Sequence, residues 1–123
     1  MALHPQAALV TLASPQLEAL VPFYRQLLAQ DPHPYLPGRY AEFAVCGLRL
    51  GIFVPRASHR AEFSQSAGSG MSLCLEVASL EGAIACCERL GHPPPAPITE
   101  ASHGRETYAY DPGGNRLILH QSL

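Results

Sequence analysis

The sequence contains no lysine and no tryptophan, and only 15% of its 123 residues carry a formal charge. Every cation other than histidine is therefore an arginine, a permanent, fork-shaped donor. A net charge of −2 excludes the basic stripe of a nucleic-acid binder and the polybasic face of a membrane-surface protein. No apolar run approaches the roughly 20 residues of a membrane span. The opening segment Met1-Ala2-Leu3-His4-Pro5 has neither a basic nor an apolar signal region, so no secretory leader is expected. Cysteine is also scarce. Cys46, Cys74, Cys86 and Cys87 form no C-x-x-C pattern, and neighbours on a helix face different ways. The four are expected to be reduced, mostly packed thiols in a cytoplasmic protein.

Apolar residues, by contrast, make up 47% of the chain, enough for a folded core without a disulfide or metal staple. Residues 7–13 read as a short buried strand, ended by Ser14-Pro15. Ser14 is placed to cap a helix, and Leu17, Leu20, Val21, Tyr24, Leu27 and Leu28 recur along one helical stripe. That helix is expected to end near Gln30, before Asp31-Pro32-His33-Pro34. Strands at 40–45 and 48–54 flank a Cys46-Gly47 hairpin turn. The polar, small-residue stretch 56–70 reads as a linker or mobile loop. A strand at 72–77, a helix capped by Ser79 and stopped by Gly91, and a Pro-rich connector follow. Strands at 106–110 and 116–121 close the chain around the turn Asp111-Pro112-Gly113-Gly114-Asn115.

The order strand, helix, hairpin-rich strands occurs twice, with an offset of roughly 65 residues. Leu17-Glu18-Ala19 lines up with Leu80-Glu81-Gly82, and Leu50-Gly51-Ile52 with Leu117-Ile118-Leu119. Each half is too small to bury a core unaided, and two curved half-sheets side by side would enclose a cup suited to a small molecule.

In that order, four features resemble the vicinal oxygen chelate superfamily, which includes glyoxalase I, extradiol dioxygenases and the fosfomycin and bleomycin resistance proteins. They are the Leu17-Glu18…Phe23-Tyr24 helix, the Cys46-Gly47-Leu48-Arg49-Leu50-Gly51 hairpin, the Leu75-Glu76-Val77…Leu80-Glu81 junction and Asp111-Pro112-Gly113-Gly114-Asn115-Arg116-Leu117. The resemblance covers nearly the whole chain, about 7–121. It implies an α+β fold: two βαβββ modules in tandem (about 7–56 and 71–123, linker about 57–70) forming a cupped mixed sheet with helices outside. A homodimer is commonly implied as well.

Enzymes of the superfamily hold a divalent metal at symmetric strand positions, which fall here on Ala8, Gly51, Ser72 and Ile118. None is a usual protein ligand, so no metal or other cofactor is expected. The resemblance is closest in character to the metal-free bleomycin-resistance-like members, which capture a small organic molecule. The alternative is a lyase, isomerase or dioxygenase using atypical ligands or metal-free acid–base chemistry. Strand alternation places His120 on the face of Ile118, toward the cup, where a lone histidine is ordinarily a hydrogen-bonded wall residue. Arg49 and Arg116 occupy matching places in the two halves. They are either a pair of forks for a carboxylate or phosphate, or two solvated cations beside turns. Glu42, Glu76 and Glu106 are candidate acids of the cup, and Tyr35, Tyr40, Phe53, Tyr108 and Tyr110 candidate aromatic walls. The expected ligand-binding set is Arg49, Phe53, Ser72, Arg116, Ile118 and His120. Its expected partner is a small, partly apolar molecule carrying an anionic group, with no nucleic acid and no membrane.

Overall fold

The computed structural model of the protein describes residues 2–123. The chain divides into two compact units, the first ending at Phe63 and the second beginning at Ser64. In the first, β1 (Val10–Ala13) leads into α1 (Leu17–Leu28), followed by β2 (Tyr35–Leu36), β3 (Tyr40–Val45) and β4 (Leu48–Phe53). In the second, β5 (Leu73–Glu76) leads into α2 (Leu80–Arg89), then β6 (Thr99–Ala101), β7 (Gly104–Tyr110) and β8 (Arg116–Ser122). Each unit forms one four-stranded mixed sheet, ordered β1-β4-β3-β2 and β5-β8-β7-β6. In both, the first strand pairs parallel with the last, and the other pairings are antiparallel. The fold is thus α+β with two similar βαβββ modules. Among the described residues no helix is long and apolar enough to cross a membrane.

Alternation along the strands decides which face each helix covers. Leu50 and Ile52 of β4 stand in register with Phe43 and Ala41 of β3, and all four are fully buried with Leu17, Leu20, Val21 and Tyr24 of α1. The Tyr24 and Phe43 ring centroids lie 6.1 Å apart. In the second unit Leu117, Leu119, Thr107 and Ala109 are buried with Leu80 and Cys87 of α2. On the same side Arg105 reaches Glu81 at 2.7 Å, and Gln121 Oε1 accepts from the Leu80 N–H at 2.7 Å. Each fully buried Leu or Phe contributes about 1.5–3 kcal/mol of apolar transfer.

Several boundaries differ from the sequence reading for local reasons. The first strand is confined to Val10–Ala13, where pairing with β4 begins. Ser14 does not cap α1: the N-cap is Gln16, and Ser14 Oγ accepts instead from the Gln16 N–H at 3.0 Å. The helix ends at Leu28 because Ala29 turns left-handed at φ 53°, ahead of the prolines. Ser79 does cap α2, accepting from the Gly82 N–H at 3.0 Å. The strands β2 and β6, two and three residues long, carry no readable alternation. Glu18 helps secure β2 from outside the sheet, accepting from Tyr35 Oη at 2.5 Å and the Gly38 N–H at 2.6 Å. The segment expected as a mobile loop contains two short 3-10 helices, Ala57–Phe63 and Ser66–Gly68. The thiols are less packed than expected: Cys87 is buried and Cys86 partly so, but Cys46 and Cys74 are exposed. Burial pushes the Cys87 thiol up to about 11.

Candidate functional site: the helix-free sheet faces

The residues between the core positions point away from the helices. In the first unit these are Tyr40 and Glu42 of β3 with Arg49, Gly51 and Phe53 of β4, where Glu42 stands opposite Gly51 and Tyr40 opposite Phe53. Arg49 grips Glu42 with two donors, Nε to Oε2 at 2.9 Å and Nη2 to Oε1 at 3.1 Å. Tyr40 Oη donates to the same carboxylate at 2.7 Å. The Arg49 guanidinium, followed by the Tyr40 hydroxyl, holds the Glu42 carboxyl down at about 2. Tyr40 also leans over the glycine: a Cβ on Gly51 would come within 2.5 Å of its hydroxyl oxygen and 3.1 Å of Leu9 Cδ1. Phe53 makes an edge-on contact with Phe63, centroids 5.5 Å apart.

In the second unit the corresponding face carries Cys74 and Glu76 of β5, Glu106, Tyr108 and Tyr110 of β7, and Arg116, Ile118, His120 and Ser122 of β8. Arg116 reaches Ser72 Oγ through Nε at 2.6 Å and the carbonyl oxygens of Ala67, Ser69 and Met71 through its terminal nitrogens. It thereby pins the start of the module to the segment before it. His120 is buried, 7% exposed. Its Nδ1 meets Glu76 Oε1, and its Nε2 lies 2.8 Å from Nδ1 of His103. Glu76 Oε2 accepts from the Ser122 hydroxyl at 2.9 Å. The Ser122 hydroxyl, with His120 beside it, lowers the Glu76 carboxyl below its usual range.

The structure thus places Arg49 and Phe53 on one helix-free face and Arg116, Ile118 and His120 on the other. Ser72 sits just ahead of β5, bound to Arg116. Each arginine is engaged within its own unit. The sequence reading missed His103 because a histidine in a two-residue turn has no periodicity to place it. Its signal was Gly104, whose φ of 148° sets the chain's entry into β7.

No family model matches the sequence, and no curated protein matches it by sequence. Solved structures do match it in shape. A lactoylglutathione lyase from Agrobacterium tumefaciens is similar with a TM-score of 0.72 at 23% identity, over 95% of this chain and 94% of its own. A genomically encoded fosfomycin resistance protein from Listeria monocytogenes has a TM-score of 0.76 at 17% identity, over 98% and 96%. A glyoxalase/bleomycin resistance protein/dioxygenase family enzyme from Burkholderia phytofirmans has 0.77 at 15%, over 93% and 96%.

The chain has the glyoxalase fold.

The divalent metal that the resemblance implies can be tested against the residues present in this glyoxalase-fold chain. At Gly51 the space a ligand side chain would need is filled by the Tyr40 hydroxyl. Ser72 Oγ is taken up by Arg116, and Ile118 and Ala8 offer no donor atoms. Among the described residues no group of three His, Cys, Asp or Glu is arranged to hold a metal ion. The residues do not fit the metal.

Proposed function

We infer that this glyoxalase-fold protein binds a small, partly apolar organic molecule on a helix-free sheet face, without the divalent metal of the fold's enzymes. The observation that carries the reading is Tyr108. It is 47% exposed in the middle of β7, opposite half-buried Ile118, on a face its helix does not cover. An exposed aromatic beside an aliphatic wall supplies the apolar area that drives capture. Polar groups near it on the same face, Glu106 and Arg116, would set orientation. Arg49 and Arg116 remain the cations of the two faces, and an anionic group would share Arg49 with Glu42. A metal-free acid–base enzyme is the second reading, favoured by the hydrogen-bonded run from Glu76 through His120 to His103.

A thermal-shift screen of carboxylates, phosphates and neutral aromatics tests the first reading. A ligand at 100 times its Kd adds about 2.7 kcal/mol, a rise of several degrees, and Tyr108→Ala should abolish the shift. No hit, or a hit indifferent to Tyr108, overturns it. Elemental analysis finding one tightly held metal per chain would overturn the metal-free part.

A further inference from the structure

His103 and His120 meet only because three local features coincide. His120 sits on β8 in register with Glu76 of β5 and Glu106 of β7, so a carboxylate-bearing residue flanks it on each neighbouring strand. His103 occupies the turn between β6 and β7. The next residue is glycine, and a Cβ there would lie 2.3 Å from the Gln121 carbonyl oxygen and 3.0 Å from His120 Nε2. The two rings lie 4.9 Å apart, tilted by 31°, with the 2.8 Å nitrogen contact between them.

With both rings neutral, the hydrogen bonds fix where the ring protons sit. An ionised carboxylate only accepts, so Glu76 requires the proton of neutral His120 to be on Nδ1. His120 Nε2 is then an acceptor, which requires the proton of neutral His103 to be on its own Nδ1. That leaves Nε2 of exposed His103 with a bare lone pair and no hydrogen-bond partner among the described residues. A carboxylate behind a histidine fixes its tautomer, and here the constraint passes through a second ring. The remaining charged groups nearby do not compete. Glu106 faces His120 from β7, and Arg105 lies on the opposite face, bound to Glu81.

We propose that Glu76, His120 and His103 form a proton relay that presents His103 Nε2 as an outward-facing base, an acid–base site of the second module. Its substrate class is a neutral small molecule with an acidic O–H, N–H or C–H, since Glu76 and Glu106 oppose an anion. The substrate's proton passes to His103 Nε2. The Nδ1 proton of His103 moves to His120 Nε2, and the Nδ1 proton of His120 moves to Glu76. Both rings finish neutral, Glu76 finishes as the carboxylic acid, and the substrate holds the negative charge that Glu76 gave up. Reversal returns the proton to the same or another atom of the substrate.

The relay is testable without any ligand, so its failure is separable from that of the capture reading. Long-range proton–nitrogen correlation NMR of the wild-type chain reads the ring tautomers directly. The expected result is Nδ1–H on both His103 and His120 at neutral pH. Diethyl pyrocarbonate, which attacks unprotonated ring nitrogens, is the reactive probe, followed by peptide mass spectrometry. His103 should be modified ahead of exposed His4, His33 and His59, and markedly more slowly in Glu76→Gln. An Nε2–H tautomer at His103, a rate no faster than the other exposed histidines, or a rate unchanged in Glu76→Gln would overturn the proposal. The tautomer measurement needs no variant and stands even if Glu76→Gln folds poorly.

Discussion

Arg49 and Arg116 stand at equivalent positions in the two halves, yet their surroundings give them different work. Arg49 meets a carboxylate on the neighbouring strand, whereas Arg116 gathers three backbone carbonyls and a hydroxyl. Glu42 is the acid whose titration this arrangement changes most. Its carboxyl titrates at about 2 when folded against an ordinary 4.5. A depressed carboxylate contributes stability that is fully present above 4.5 and is lost as pH falls toward 2. Glu42→Gln is therefore expected to show its largest deficit in thermal midpoint near neutral pH, and the deficit should shrink between 4.5 and 2. Parallel melting curves of both proteins across that range check it, and a deficit independent of pH would refute it. Strand alternation was enough to place both arginines and His120 on the helix-free faces. Their partners were not legible, because Glu42, Ser72 and His103 become neighbours only when the register and the turn geometry are set. A one-residue slip would have exchanged every one of them.

The elements were readable where periodicity ran long enough to speak. Both helices, the two longest hairpins and the glycine turns at Gly47 and Gly91 (φ 88° and 83°) follow from their residues. The Cys46-Gly47 turn has positive φ at both positions, 50° and 88°, as a tight two-residue hairpin requires. Helix starts were less legible, since Ser14 and Ser79 look alike and only Ser79 is the cap. The difference lies in Pro15 and Gln16, which carry the chain two residues further before α1 begins. The end of α1 holds a conformational cost that glycine would relieve. Ala29 sits at φ 53° and ψ 45°, a left-handed geometry that costs an L-residue about 1–2 kcal/mol. Part of that relief is offset by glycine's greater freedom in the unfolded chain. Ala29→Gly is expected to raise stability by about 0.5–1 kcal/mol. In urea this appears as a higher midpoint with unchanged slope, and a lower midpoint would contradict it.

At the scale of the molecule, the duplication was legible although no family model matches the sequence. At 15–23% identity to the similar structures named above, what is shared is the fold; in this chain its legible signals are the alternation that buries one sheet face and the turn residues that permit each reversal. Those signals place the fold and leave the surfaces open. The outermost strands of the sheets are β1 and β2 in the first unit and β5 and β6 in the second. The shortness of β2 and β6 limits their capacity to template pairing with another chain. Large apolar side chains nevertheless stand exposed near these edges, Leu9 at 38% just before β1, Leu36 at 50% on β2, and Met71 at 67% just before β5. Scattered exposed apolar residues are ordinary, but three beside outermost strands are the places a second copy could cover. A homodimer is therefore expected, and sedimentation equilibrium at micromolar concentration should return twice the chain mass. Leu36→Glu and Met71→Glu together should shift the equilibrium toward monomer by placing unpaired charge where apolar surface was buried. A wild-type monomer across the concentration range would refute the dimer. A dimer indifferent to both substitutions would show that these edges are not its interface.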